Sequence, residues 1–328
     1  MKSKVLLTFA MLCMGLIGMS QTSEEFKPEG KMYGAVFTNF YTTISDGESA
    51  SGFNLTRLEL GYKYQFSTTL SAKACFDIEN PKDGGSLDFT AFARNAYLEY
   101  SDKGFTVDFG VITANAFNLQ ENYWGYRYVS KSFQDLYKYS SSRDLGVKAA
   151  YKFNKAISAD VFIANGEGYK SMQKDSALRV GFGATVHPVE KMTLRAYYDF
   201  ISKDETMSTL ALFAGYATEQ FSIGFEYNQR NNTSFVAGED QSGISTYFKY
   251  KPSKKVSVFG RYDQRMSKDD WNTAGDGGVK YDGSLFIAGM EYNPVKGVRL
   301  APTLTGWSPA EDGQPFTTGL LLNCEIKF

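Results

Sequence analysis

A single histidine, His187, stands in 328 residues. Proton-relay catalysis usually sets a histidine beside a serine or an acid. Here the one histidine precedes Pro188 in a short turn region, which fits a structural role better than a reactive one. Cysteine is nearly as scarce: only Cys13, Cys75 and Cys324 are present. That excludes a disulfide framework and a Cys/His metal cluster. No glycine-rich phosphate loop appears either, so no cofactor and no metal are expected. Neither sign of charge is in excess, with 35 Lys and Arg against 36 Asp and Glu. A nucleic-acid binder would carry a basic surplus. After Gln21 no apolar run approaches the length of a membrane-spanning helix.

The first thing the chain does contain is an export signal. Lys2 and Lys4 are followed by an apolar stretch from Val5 to Met19, then by small residues at Gly18 and Ser20. This pattern predicts a signal peptide over residues 1–20, cleaved before Gln21. Leu12 stands before Cys13 where a lipoprotein signal wants a small residue, so a lipid anchor is not expected. Residues 21–30 then form a short segment outside the fold proper. Export without a membrane helix leaves the periplasm, secretion or an outer-membrane barrel.

The mature chain repeats one unit: about ten alternating residues, then a turn. Leu58, Leu60, Tyr62 and Tyr64 alternate with Arg57, Glu59, Gly61 and Lys63. Leu70, Ala72, Ala74, Phe76 and Ile78 alternate with Ser71, Lys73, Cys75 and Asp77. Alternate side chains leave a strand on opposite faces, so each strand has one apolar and one polar face. The pattern predicts strands near 31–42, 53–66, 68–79, 88–100, 104–112, 143–153, 157–165 and 176–187. The second half gives 191–202, 207–218, 220–229, 241–251, 255–266, 281–292, 297–306 and 316–328. Every second connection is short, and the others are long and polar. Tyr64, Phe66, Tyr100, Phe153, Tyr250 and Tyr292 gather at the short-turn ends; Phe76, Tyr198, Phe200, Tyr227 and Tyr262 gather at the other. Two aromatic belts are what a bilayer asks for. The fold class expected is all-β: a transmembrane antiparallel up-and-down barrel of about 16 strands over residues 31–328. Both termini should lie on the periplasmic side of the outer membrane of a Gram-negative bacterium. The last strand alternates apolar residues and ends on Phe328, resembling the signal read by the barrel-assembly machinery.

A barrel of that size encloses an aqueous channel rather than a filled core. Its inward positions offer Arg57, Lys73, Lys148, Arg179, Arg195 and Arg261 against Glu59, Asp108, Asp160 and Glu226. This small basic excess suggests passive diffusion of small hydrophilic solutes with a weak preference for anions. Arg57 with Lys73, and Arg179 with Arg195, lie on adjacent strands and are expected to repel. The longest connection, residues 113–142, holds Tyr123, Trp124, Arg127, Lys131 and Lys138, with Arg143 at its end. A long aromatic loop is expected to fold into the barrel and narrow it. An outer-membrane structural or adhesin barrel acting through its loops is the alternative.

The run from Phe109 to Val147, FGVITANAFNLQENYWGYRYVSKSFQDLYKYSSSRDLGV, resembles the strand, inward loop and next strand of the phosphate-selective porin O and P family. Arg143, Asp144, Gly146 and Val147 match a recurrent R-D-x-G-V strand start. The resemblance implies a sixteen-stranded homotrimeric channel that favours anions such as phosphate. The expected partners are thus outer-membrane lipid, small solutes or anions, and two further copies of the chain. In this sequence acids intersperse the lumen bases, unlike the dense basic ladder of phosphate-specific members. Purified folded protein should give a β-dominated circular dichroism spectrum and migrate more slowly after boiling. A largely helical spectrum would remove the fold assignment.

Overall fold

The structure, a computed structural model, describes residues 26–79, 90–268 and 282–328. Sixteen strands form one closed antiparallel barrel, each pairing with its chain neighbours and the first with the last. They are β1 (Glu29–Ser45), β2 (Glu48–Gln65), β3 (Leu70–Glu79), β4 (Thr90–Asp102), β5 (Phe105–Thr113), β6 (Arg143–Lys152), β7 (Ile157–Ala164) and β8 (Arg179–Val186). The circuit continues with β9 (Met192–Ser202), β10 (Thr206–Ala217), β11 (Phe221–Asn231), β12 (Gln241–Tyr250), β13 (Val256–Ser267), β14 (Gly283–Tyr292), β15 (Val298–Pro309) and β16 (Thr317–Lys327). Each strand foreseen from alternation is present, with ends moved by a few residues. The largest shift is in the first hairpin, where β1 and β2 extend to 17 and 18 residues and meet at a tight turn through Asp46 and Gly47. β1 also begins inside the segment assigned to residues 21–30. The signal-peptide expectation for 1–20 and the long connections at 80–89 and 269–281 lie outside the described residues.

The alternation works as the pleat dictates. On β9 the residues Thr193, Arg195, Tyr197 and Asp199 are buried on the inner face, while Ala196 and Tyr198 face outward and are exposed. The outward rows end in rings: Tyr62, Tyr64 and Phe66 stack along β2 to its turn end, and Tyr151 packs on Phe153 at another turn. Buried apolar clusters lie inside the barrel, because the connection between β5 and β6 enters it. Cys75 points inward, its Sγ 3.3 Å from Glu59 Oε1, whereas Cys324 belongs to the outward row of β16; both are free thiols.

The ladder that closes the barrel between β1 and β16 is extended by Phe328. The Phe328 N–H donates to the Gly34 carbonyl at 3.2 Å, and the Gly34 N–H donates to the Phe328 carbonyl at 2.9 Å. The Phe328 ring covers Gly34 so closely that a Cβ there would lie 2.4 Å from the ring edge. Only glycine allows that approach. Gly34→Val should therefore cost about 1–3 kcal/mol by overpacking the seam. The folded fraction, read as heat-modifiable mobility in a urea series, should fall at lower urea than for the parent protein.

Candidate channel constriction

Among the described residues, the connection between β5 and β6 is the long non-strand segment that enters the interior. It carries helix α1 (Asn118–Trp124) and a single turn, α2 (Phe133–Leu136). Gly125 ends α1 in the left-handed region at φ 73°, its N–H bonding the Glu121 carbonyl at 2.8 Å. That reversal brings the next aromatic residues against the wall. Trp124 is fully buried among Tyr126, Tyr247 and Phe259, and Tyr126 stacks on Phe259 at 4.0 Å between ring centroids. Tyr123 packs edge-on to Phe213, and Tyr128 reaches Phe37 on the far side. The hydroxyls end on wall partners: Tyr123 on Thr193 at 2.8 Å, Tyr126 on Ser257 at 3.0 Å and Tyr128 on Glu291 at 2.8 Å. Burial raises the Tyr126, Tyr128, Tyr137 and Tyr139 phenols far above their ordinary range, so all four stay neutral.

The backbone of this segment has no ladder to join, so the wall supplies donors. Arg195 donates to the Asn115 carbonyl at 3.0 Å and Arg299 to that of Gly125 at 3.1 Å. Arg261 donates to the Lys131 carbonyl and Arg230 to that of Lys138. Where such a carbonyl is buried, leaving it unbonded would cost about 1–3 kcal/mol. Arg261 and Arg299 also lie over the Trp124 and Tyr128 rings at 5.2 and 4.6 Å.

The ten inward candidates therefore divide. Arg179, Arg195 and Arg261 are buried and each has an acid: Asp199 at 3.7 Å, Asp160 at 2.7 Å and Asp263 at 2.5 Å. Asp108 and Lys148 pair at 2.6 Å. Glu226 is fully buried behind the segment, accepting from Asn228 at 3.1 Å. Arg57 contacts Asp77 at 3.2 Å, and Glu59 is engaged by Arg94. Lys73 lies 5.1 Å from the Tyr33 ring.

The two repelling pairs expected from sequence do not form. Lys73 lies opposite Lys63, while Arg57 is six positions further along β2, about 20 Å away at ~3.3 Å per residue. Arg195 lies opposite Thr185, six positions along β8 from Arg179. In an antiparallel ladder numbering runs in opposite directions, so adjacent strands do not imply equal depth.

Of the loop candidates, Tyr123 and Trp124 are wall contacts. Arg127 bridges Glu121 at 3.5 Å and Asp135 at 3.0 Å. Lys131 and Lys138 are exposed, and their carbonyls accept from wall arginines. Arg143 is the first residue of β6, held by Asn95 at 3.2 Å.

Two features escape a reading by strict alternation. Arg94 and Asn95 are consecutive yet both buried, because a bulge inserts Arg94 into β4. A second bulge inserts Thr56 into β2 beside Arg57. Bulges re-aim side chains, and these two gather Arg57, Arg94, Glu59 and Asp77 at one level. The second feature is a row of lysines. Lys31 is directly opposite Lys63, and Lys63 directly opposite Lys73, all on the inner face. They line a cavity of about 400 Å³ on the turn side of the arginine level. On the loop side a cavity of about 470 Å³ opens between Asn39, Asn54 and Arg57 on the wall and Arg127 to Lys131 on the segment.

No known family profile matches the sequence, and no curated protein matches it. Solved structures do. The anion-selective porin from Comamonas acidovorans superposes with a TM-score of 0.68 at 12% identity, over 92% of this chain and all of that one. The outer membrane channel DcaP of Acinetobacter baumannii gives 0.67 at 13% identity, over 94% and 100% of the two chains. OmpF of Salmonella typhi gives 0.68 at 14% identity, over 91% and 97%. At such identities the likeness shows the fold: a sixteen-stranded porin-type barrel.

Removing residues 118–139 should empty the interior and raise single-channel conductance severalfold, measured in planar bilayers. Trp124→Ala removes the centre of the aromatic contact, a loss of about 3–5 kcal/mol for a buried Trp. Its current record should show added flicker as the segment leaves the wall.

Proposed function

We propose that the protein is a passive outer-membrane channel for small hydrophilic solutes with a weak preference for anions, and not an enzyme. The observation that carries this is the off-centre opening. The inward segment packs most of its rings on β9 to β14 and touches β1 only where Tyr128 meets Phe37, while both cavities lie along β1 to β3. A solute crossing on that side passes Arg57 and Arg94, then the lysine row. The acids at the arginine level are engaged by those arginines. Below it, Lys63 reaches Glu99 at 3.4 Å, and no ion pair holds Lys31 or Lys73 among the described residues. Like charges directly opposite one another repel, and a passing anion relieves that repulsion. The field is focused in a narrow wet channel, so a small basic excess biases which ions enter. Phosphate is one candidate anion. A homotrimer fits the reading, since a trimer form of the similarly folded OmpT of Vibrio cholerae has been solved.

Reversal potentials in a salt gradient test the selectivity. The parent channel should prefer anions, and the preference should fade toward 1 M salt, where the screening length is about 3 Å. Lys31→Gln, Lys63→Gln and Lys73→Gln together should abolish the preference while leaving conductance nearly unchanged. A parent channel preferring cations would refute the selectivity and spare the channel. No conductance from protein shown to be folded would favour a structural or adhesin barrel.

A further inference from the structure

Away from this route, the short-turn rim carries a second basic cluster. The β12–β13 turn (251–255) and the β14–β15 turn (293–297) lie side by side, tied by the Asn293 N–H bonding the Lys255 carbonyl at 2.8 Å. Ser253 Oγ fixes the first turn by accepting from the N–H groups of Lys255 and Val256 at 3.3 and 3.1 Å. Between the turns is a cavity of about 620 Å³ whose walls include Lys254, Lys255, Lys296 and Lys327. Lys251, Lys254, Lys255 and Lys296 are exposed, and no ion pair engages them among the described residues. The acid in the cavity wall, Glu325, is buried and already held by Arg299 and by Lys327, the latter at 2.8 Å. The exposed lysines therefore stand at the short-turn rim as net positive charge on a framework fixed by backbone bonds, with Arg299 and Glu325 on the lumen side of the same cavity.

Its level relative to the bilayer decides what it meets. Tyr250 and Tyr292 end β12 and β14, point outward and are exposed. Val295, at the tip of the second turn, is 63% exposed. Outward tyrosines mark the headgroup level of a bilayer. Lysine stems can lie along apolar surface while the ammonium reaches a phosphate. The β12–β13 turn holds three lysines, whereas no other short turn holds more than one.

We propose that this rim binds the headgroup of an anionic glycerophospholipid, with the phosphate among Lys254, Lys255 and Lys296 and the acyl chains beside Tyr250 and Tyr292. A free phosphate offers the same charge. It gains nothing from the two outward tyrosines or from exposed Val295, which a lipid would cover. The proposal rests on the outer-membrane reading, and its test separates the two.

The protein would be placed in discs of equal phosphatidylglycerol and phosphatidylcholine, and the lipids retained on it counted by native mass spectrometry. Phosphatidylglycerol should be enriched about tenfold, the scale expected for a few surface lysines. Lys251→Gln, Lys254→Gln, Lys255→Gln and Lys296→Gln together should remove the enrichment. Arginine at the same four positions should keep it. Heat-modifiable mobility and single-channel conductance report that each variant is folded. Equal retention of the two lipids by the parent protein, or undiminished enrichment in the glutamine variant, overturns the proposal. Inorganic phosphate that displaces phosphatidylglycerol and itself binds in pure phosphatidylcholine discs assigns the rim to a soluble anion instead. Protein that conducts normally while showing no lipid preference loses this site and keeps the channel. Protein that never inserts into lipid loses both.

Discussion

Residues 114–142, which join no ladder, have to run through the inside of a closed sheet, and their backbone carbonyls must find donors there. The barrel wall answers with arginine. Arg195, Arg230, Arg261 and Arg299 each donate to a carbonyl of the inward segment. An arginine suits this work because its guanidinium has five donors in a fixed fork and keeps its charge when buried. Asp160, Asp263, Glu291 and Glu325 neutralise the arginines that do it. The aromatic contacts of Trp124 and Tyr126 then pack on a backbone whose position is already determined. Loss of Arg195, Arg261 or Arg299 would leave both a carbonyl and an acid without that partner.

This constraint also decides where the interior stays open. The arginines that bind the segment sit on β9, β11, β13 and β15, so the segment lies against that half of the wall. What remains is the side formed by β1 to β5, which the segment touches through Tyr128 on Phe37. There the two bulges shift Arg57 and Arg94 to one level, and the first hairpin is the longest pair in the barrel. A wall meant only to close a sheet needs neither an inserted residue nor extra length. Both irregularities fall on the side the segment leaves uncovered.

The fold was legible in the sequence because period two is a local property. Leu58 to Tyr64 and Leu70 to Ile78 announce their faces without reference to any partner, and the observed strands follow. Depth is not local. Arg57 and Lys73 are both inward and on neighbouring strands, yet register separates them by six positions, while Lys31 and Lys63, thirty-two residues apart, meet directly. Arg94 was hidden for another reason: a bulge breaks the very alternation used to find inward residues. The segment's inward fold could be anticipated from its aromatic content, because rings at that density need something to pack on. Which wall it would choose depended on arginines whose partners are carbonyls, and a sequence carries no signal for those.

The inward bases consequently do three different jobs, and adding their charges misjudges the channel. Arg195, Arg261 and Arg299 are pinned between carbonyls and acids. Arg57 and Arg94 share Asp77, with Glu59 on Arg94, and present a dipole more than a charge. A base neutralised by a close acid exerts a field that falls off faster with distance than that of a lone ammonium. The lysines at 31, 63 and 73 differ, since Glu99 touches only the middle one. Their shared potential extends furthest into the water beside them, and screening by salt acts most on such exposed charges. Under the proposed function, the charge available to select ions is therefore that of a few lysines set opposite one another by register, near one mouth, more than that of the arginines at mid-height.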